Sequence, residues 1–162
     1  DAALRRVATS GAFHAMQAYF NLLNPSAILA VPRGFTALDL RQVAALAHDR
    51  GLGVLNIRVL AAGALAGRAL PRGGQPIAAG ADAAAEEARA AVLRRALGLD
   101  AKQLHSLALR FALQRPEIDG VLVGFGAAAQ VDDAIAAASE PPIDDATLKA
   151  ITRLYGQPPF AA

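Results

Sequence analysis

Two kinds of apolar pattern alternate along this chain. Short, nearly unbroken apolar runs read as buried strands, and stretches with apolar residues every three or four positions read as amphipathic helices. Asp1–Ser10 places Leu4, Val7 and Ala8 on one helical face and stops at Gly11. Phe13–Leu22 is an apolar and aromatic run that predicts a strand, with Asn24-Pro25 as punctuation. Thr36 and Asp39 have the spacing of a capping box ahead of Leu40, Val43, Ala44 and Ala47, which predicts a helix closed by Gly51. Leu52–Leu60 predicts a second strand, apolar enough to be covered on both faces, with Asn56 and Arg58 interrupting near its C-terminal end. Gly63, Gly67, Pro71, Gly73, Gly74, Pro76 and Gly80 make Ala61–Ala81 a long loop.

Helices are predicted over Ala83–Leu97 and from Asp100, with Gln103 three residues on, to just before Pro116. A third strand, Val121–Val123, breaks at Gly124 and Gly126 and yields to a helix from Ala128 to Ser139. After Pro141-Pro142, Asp144 opens a last helix that carries Leu148, Ile151 and Tyr155. The order α-β-α-β-α-α-β-α-α predicts an α/β fold with a parallel sheet, in one domain over residues 1–162. Strand, glycine turn and helix start around Gly124 and Gly126 would present backbone N–H groups to a phosphate. Most turns of this kind bind nothing, so the layout alone does not single out a ligand.

Composition narrows the classes. A net charge of +2 and 19% charged residues show no basic stripe, and nucleic acid is not an expected partner. The absence of cysteine excludes a disulfide scaffold and thiolate chemistry. No apolar run is long enough to span a membrane and no signal peptide is visible, so a soluble, cytoplasmic protein is expected. Met16 is the sole methionine, from which the sequence is expected to be part of a longer one. His14, His48 and His105 lack metal-site spacing, and no metal is expected. The pairs Glu86-Glu87, Asp132-Asp133 and Asp144-Asp145 lie in early helical turns, where carboxylates suit the helix dipole. Gln17 and Asn21 are amides within a run that otherwise reads as buried, and such groups need hydrogen-bond partners or a ligand.

Four segments resemble aldo-keto reductases, in order and over nearly the whole chain. Gln17-Ala-Tyr-Phe-Asn21 is similar to the Gln-x-x-Tyr-Asn segment of that family's sixth barrel strand. Gly53–Leu65 resembles the seventh strand with its Tyr-Ser-Pro-Leu-x-x-Gly-x-Leu ending. Leu107–Leu113 followed by Val121–Gly124 resembles the last helix–strand pair, and Gln130-x-x-Asp133 the Gln-x-x-Glu that opens the final helix. The resemblance implies the C-terminal half of a (β/α)8 TIM barrel binding NADP or NAD across its strand ends, with a small carbonyl or sugar substrate. It implies that Gln17 bonds the nicotinamide carboxamide, and that the turn Leu60–Leu65, through Gly63, offers N–H groups to the pyrophosphate. It also implies that Gly124 and Gly126 lie against the adenosine phosphate, with Gln130 and Asp133 near the ribose.

Departures from the family pattern matter as much. The stacking tyrosine falls at Ile57, and Ser-Pro becomes Arg58-Val59, where Arg58 could supply charge to a phosphate. The cation used for a 2′-phosphate aligns with Gly126 and the usual asparagine with Ala134, which leaves NADP against NAD open. The family's catalytic Tyr, Lys, Asp and His belong to strands with no counterpart here, so no catalytic residue is expected in this chain. An enzyme parent and a catalytically silent, nucleotide-binding regulatory or interaction subunit both fit, and an unrelated α/β binding domain is a third reading. Open barrel edges predict self-association.

Overall fold

Three parallel strands form the centre of the molecule, in the order β1-β2-β3. They are β1 (Ala15–Tyr19), β2 (Gly53–Ile57) and β3 (Gly120–Val121). A computed structural model describes residues 2–66 and 82–162. In register, Gln17 lies beside Leu55 and Tyr19 beside Ile57, while Leu55 and Asn56 lie beside Gly120 and Val121. Side chains alternate across a strand. Met16, Ala18, Val54 and Asn56 therefore share one face, which is buried. Ala15, Gln17, Tyr19, Leu55 and Ile57 share the other, which is exposed or half-buried.

The buried face is covered by helices. Chain order runs α1 (Ala2–Thr9), α2 (Val43–Asp49), a 3₁₀ turn (Ala61–Ala66), α3 (Ala83–Ala96), α4 (Ala101–Leu113), α5 (Ala128–Ala138) and α6 (Asp145–Leu154). Phe20 and Phe111 of α4 stack with ring centroids 5.2 Å apart at 4°, both fully buried. Fully burying an aromatic side chain contributes about 1.5–3 kcal/mol, so this pair is a principal join between the sheet and its helical layer. The predicted capping box at Asp100 and Gln103 forms, with 2.8 Å bonds in both directions. Asp82 and Asp144 cap α3 and α6, and Gly11, at φ 69°, follows α1 as the pattern predicts.

Four expectations are corrected. The strand predicted over Phe13–Leu22 is confined to Ala15–Tyr19, because Phe20 N turns to the Asn56 side chain and Asn21 and Asn24 pair with each other. The strand predicted over Leu52–Leu60 ends at Ile57, where Arg58 takes a left-handed φ of 62°. Thr36 and Asp39 cap no helix. Thr36 Oγ1 donates to the Pro159 carbonyl at 2.8 Å, Asp39 accepts from Arg41 N, and α2 starts only at Val43. Thr36 belongs instead to a contact with the C-terminal segment, where Thr36 N donates to Phe160 O and Ala162 N to Gly34 O. The third strand is Gly120–Val121 rather than Val121–Val123. Of the predicted loop, residues 61–66 form the 3₁₀ turn and 67–81 lie outside the described residues.

Parallel strands with helices in the connections and one open inner face are the architecture of part of a (β/α)8 barrel. Among the described residues, no helix is long and apolar enough to cross a membrane.

Candidate functional site at the strand ends

Open α/β sheets bind ligands beyond the C-terminal ends of their strands, because the loops there are free of the packing that fixes the core. At the end of β1, the run Gln17–Asn21 sends its polar groups in different directions. Gln17 is exposed on the inner face, which corrects its reading as a buried amide, and it has no hydrogen-bond partner among the described residues. Asn21 is fully buried. Its Nδ2 donates to Arg58 O at 2.9 Å, and its Oδ1 accepts from Leu23 N and Asn24 N at 2.9 and 3.0 Å. Asn21 is thus the structural amide that ties one strand end to the next.

What Asn21 ties down is a strained turn. Arg58, Ala61 and Ala62 all have left-handed φ values, 62°, 46° and 54°, and Gly63 reaches 106°. Non-glycine residues in this region cost of order 1 kcal/mol each and persist only where surroundings impose them. Leu60 O accepts from Gly63 N at 2.9 Å and Leu65 N at 3.2 Å, so those two amides close the turn on itself. Leu65 is buried beneath it. The Arg58 guanidinium is half-buried and makes no hydrogen bond or ion pair among the described residues.

Tyr19 Oη donates to Glu86 Oε1 of α3 at 2.9 Å. Burial pushes the Tyr19 hydroxyl up to about 12, with the Asn21 side chain opposing that shift. One turn on, the buried Arg89 donates to Thr36 Oγ1 at 2.9 Å. These contacts were not foreseen, although Arg89, Ala90 and Leu93 share one face of α3. Asn56, also buried, accepts from Phe20 N at 3.1 Å and leaves its Nδ2 without a partner.

The other predicted residues follow β3. Gly124 and Gly126 are exposed, and Gly126 N donates to the Gln130 side chain at 2.7 Å. Gln130 therefore covers an amide at the start of α5, whose N-cap Ala127 makes no side-chain bond. Asp133 turns elsewhere. It lies 3.6 Å from Lys102 and lines a groove of about 440 Å³ between α4, α5 and the start of α6. No residue of the sheet lines that groove. The fold thus gathers Gln17, Arg58, Leu60, Gly63 and Leu65 at the ends of β1 and β2, and Gly124, Gly126 and Gln130 after β3. Asp133 stands apart from both. Among the described residues, no three potential ligands cluster to hold a metal ion.

Comparison with known proteins bears on the fold and the family. No curated protein matches the chain. An aldo-keto reductase from Bacillus halodurans, in its holo form, superposes with a TM-score of 0.66 at 19% identity, over 94% of this chain and 46% of that one. The glycerol dehydrogenase of Gluconobacter oxydans superposes with a TM-score of 0.58 at 16% identity, over 91% of this chain and 46% of that one. The chain thus spans a little under half the length of these solved structures, and the likeness shows the barrel fold. The model of the aldo/keto reductase family matches residues 11–155. With that match over most of its length and three parallel strands on the barrel plan, the chain belongs to the aldo/keto reductase family, a family of oxidoreductases.

Proposed function

We propose that this chain supplies the cofactor-binding part of an NAD(P)H-dependent aldo-keto reductase, which reduces small carbonyl compounds or oxidises sugars and alcohols in reverse. The observation that carries the reading is the left-handed turn from Arg58 to Gly63, held by Asn21 at the end of β2, beside a guanidinium that has no partner among the described residues. Strained backbone next to an unpaired cation suits an anionic ligand such as a pyrophosphate. Gln17, on the inner face with no partner for its amide among the described residues, would take the nicotinamide carboxamide. Arg58 and the turn Leu60–Leu65, with Gly63, would take the pyrophosphate, and Gly124, Gly126 and Gln130 the adenosine phosphate. Asp133 would reach a ribose only by leaving Lys102. The bound cofactor supplies the hydride, and the residues named here bind and orient it.

A second reading, a catalytically silent nucleotide-binding subunit, shares the same cofactor element, and the two tyrosines here do not supply a catalytic acid under either. Tyr19 is engaged by Glu86, and Tyr155 is buried on Leu22 O at 3.1 Å, so neither presents a proton to a substrate. NADPH titrated into the 162-residue chain and followed by nicotinamide fluorescence tests the shared element. Arg58→Gln is expected to weaken binding by about tenfold or more, as loss of a charge-assisted bond does. Gln17→Ala should weaken it less, and a parallel titration with NADH reads any preference for the 2′-phosphate. Binding unaffected by both substitutions would reject the site.

A further inference from the structure

Glu86 has no part in the cofactor site just described, yet it stands at its edge. Its Oε1 holds the Tyr19 hydroxyl at 2.9 Å. Tyr19 lies beside Ile57 in the sheet, and Arg58 is the next residue. Strand alternation would turn Arg58 to the helix-covered side, with Asn56. The left-handed φ of 62° breaks that alternation. The guanidinium then acts on the Tyr19 hydroxyl with a sign opposite to that of Glu86. Acid and base both act on one hydroxyl, and among the described residues they do not pair directly. Nor does α3 readily carry Glu86 away, because Arg89 fastens it to Thr36, which is itself bonded to the Pro159 carbonyl.

We propose that Glu86 is a built-in counter-anion: held by Tyr19 at the ends of β1 and β2, it competes with a nucleotide's phosphates for Arg58 and so sets the affinity of this site for anions. The inference rests on the cofactor reading above and adds an autoinhibitory contact to it. A phosphate arriving at Arg58 meets the carboxylate in half-buried surroundings, where charges are screened less than in open water. Tyr19 does not neutralise the carboxylate. It donates a hydrogen bond and keeps its own proton.

Two substitutions separate charge from tether. Glu86→Gln preserves the shape and the acceptor for Tyr19 and removes the charge. Tyr19→Phe releases the carboxylate, still charged, to pair with Arg58. With the 162-residue chain at low ionic strength and circular dichroism confirming each fold, Glu86→Gln is expected to bind NADPH about five- to tenfold more tightly, a gain that shrinks as salt rises. Tyr19→Phe is expected to bind more weakly than the natural chain. In an Arg58→Gln background the gain from Glu86→Gln should vanish, since the competition has lost its object. Equal or weaker binding by Glu86→Gln, or a gain that survives Arg58→Gln, would overturn the proposal while leaving the cofactor reading intact. If neither the natural chain nor any variant bound NADPH, the cofactor reading would fail and take this one with it.

Discussion

Asn21→Ala is expected to cost about 3 kcal/mol of folding stability, and the sum can be built bond by bond. The side chain is fully buried and makes three hydrogen bonds. After truncation, Asn24 N keeps the main-chain carbonyl of residue 21 at 3.2 Å, and Arg58 O keeps Ala61 N at 2.8 Å. Leu23 N keeps nothing, and an orphaned buried N–H costs about 1–3 kcal/mol. The lost bond to Arg58 O adds about 1 kcal/mol, and the space left by the amide somewhat less. Against a typical total of about 5–15 kcal/mol, that is a large fraction of the stability. Urea denaturation followed by far-ultraviolet circular dichroism measures it, with an unchanged slope showing that surface exposure on unfolding is preserved. Hydrogen exchange should also quicken at the amides of Gly63 and Leu65, because the turn they close has lost an anchor. Asn21→Asp keeps both acceptor bonds but cannot donate to Arg58 O and buries a charge, so it should be at least as damaging. A loss below about 0.5 kcal/mol in the alanine variant would refute the view that Asn21 fixes the strained turn.

Other outcomes follow from the same structure. Phe111→Ala removes the ring stacked on Phe20 and is expected to cost about 3–5 kcal/mol, read from the same urea curves; a milder loss would mean that the sheet–helix join collapses to refill the space. Stability should fall as pH rises from about 10, where unfolded tyrosine ionises, to about 12, where folded Tyr19 does. Burial raises both tyrosines, so their contribution is complete below pH ~10 and lost above it, and Tyr19→Phe should shallow the decline seen in melting scans at stepped pH. Mixed with NADPH and a reactive aldehyde, the 162-residue chain should oxidise no cofactor above background; steady loss of nicotinamide absorbance, abolished by Tyr19→Phe, would show that Tyr19 is an acid after all. The half-exposed Leu122 and Phe125 and the free edges of β1 and β3 are expected to drive self-association, which light scattering would contradict by showing a stable monomer.

Local chemistry makes much of the fold legible in the sequence. Apolar runs marked all three strands, and the helix starts read at Asp100 and Asp144 follow from side chains that satisfy their own helix's amides. These are interactions over three or four residues, and the residues concerned carry them into any surroundings. Parallel pairing likewise follows from the alternation of strands and helices. Tertiary structure decided what one segment does to another. Thr36 and Asp39 have the spacing of a helix cap, but a carbonyl 123 residues away claims the threonine. Gln17 and Asn21 look alike in sequence, and only the pairing of β1 with β2 exposes one and buries the other against Arg58 O. The left-handed turn at Arg58–Gly63 has just one glycine to announce it, because its strain is imposed by Asn21 and by packing on α3 and α4. The contacts of Glu86 with Tyr19 and Arg89 with Thr36 span 67 and 53 residues. Contacts so distant leave no periodic trace in a sequence, since their partners are chosen by where the folded chain brings α3 to rest.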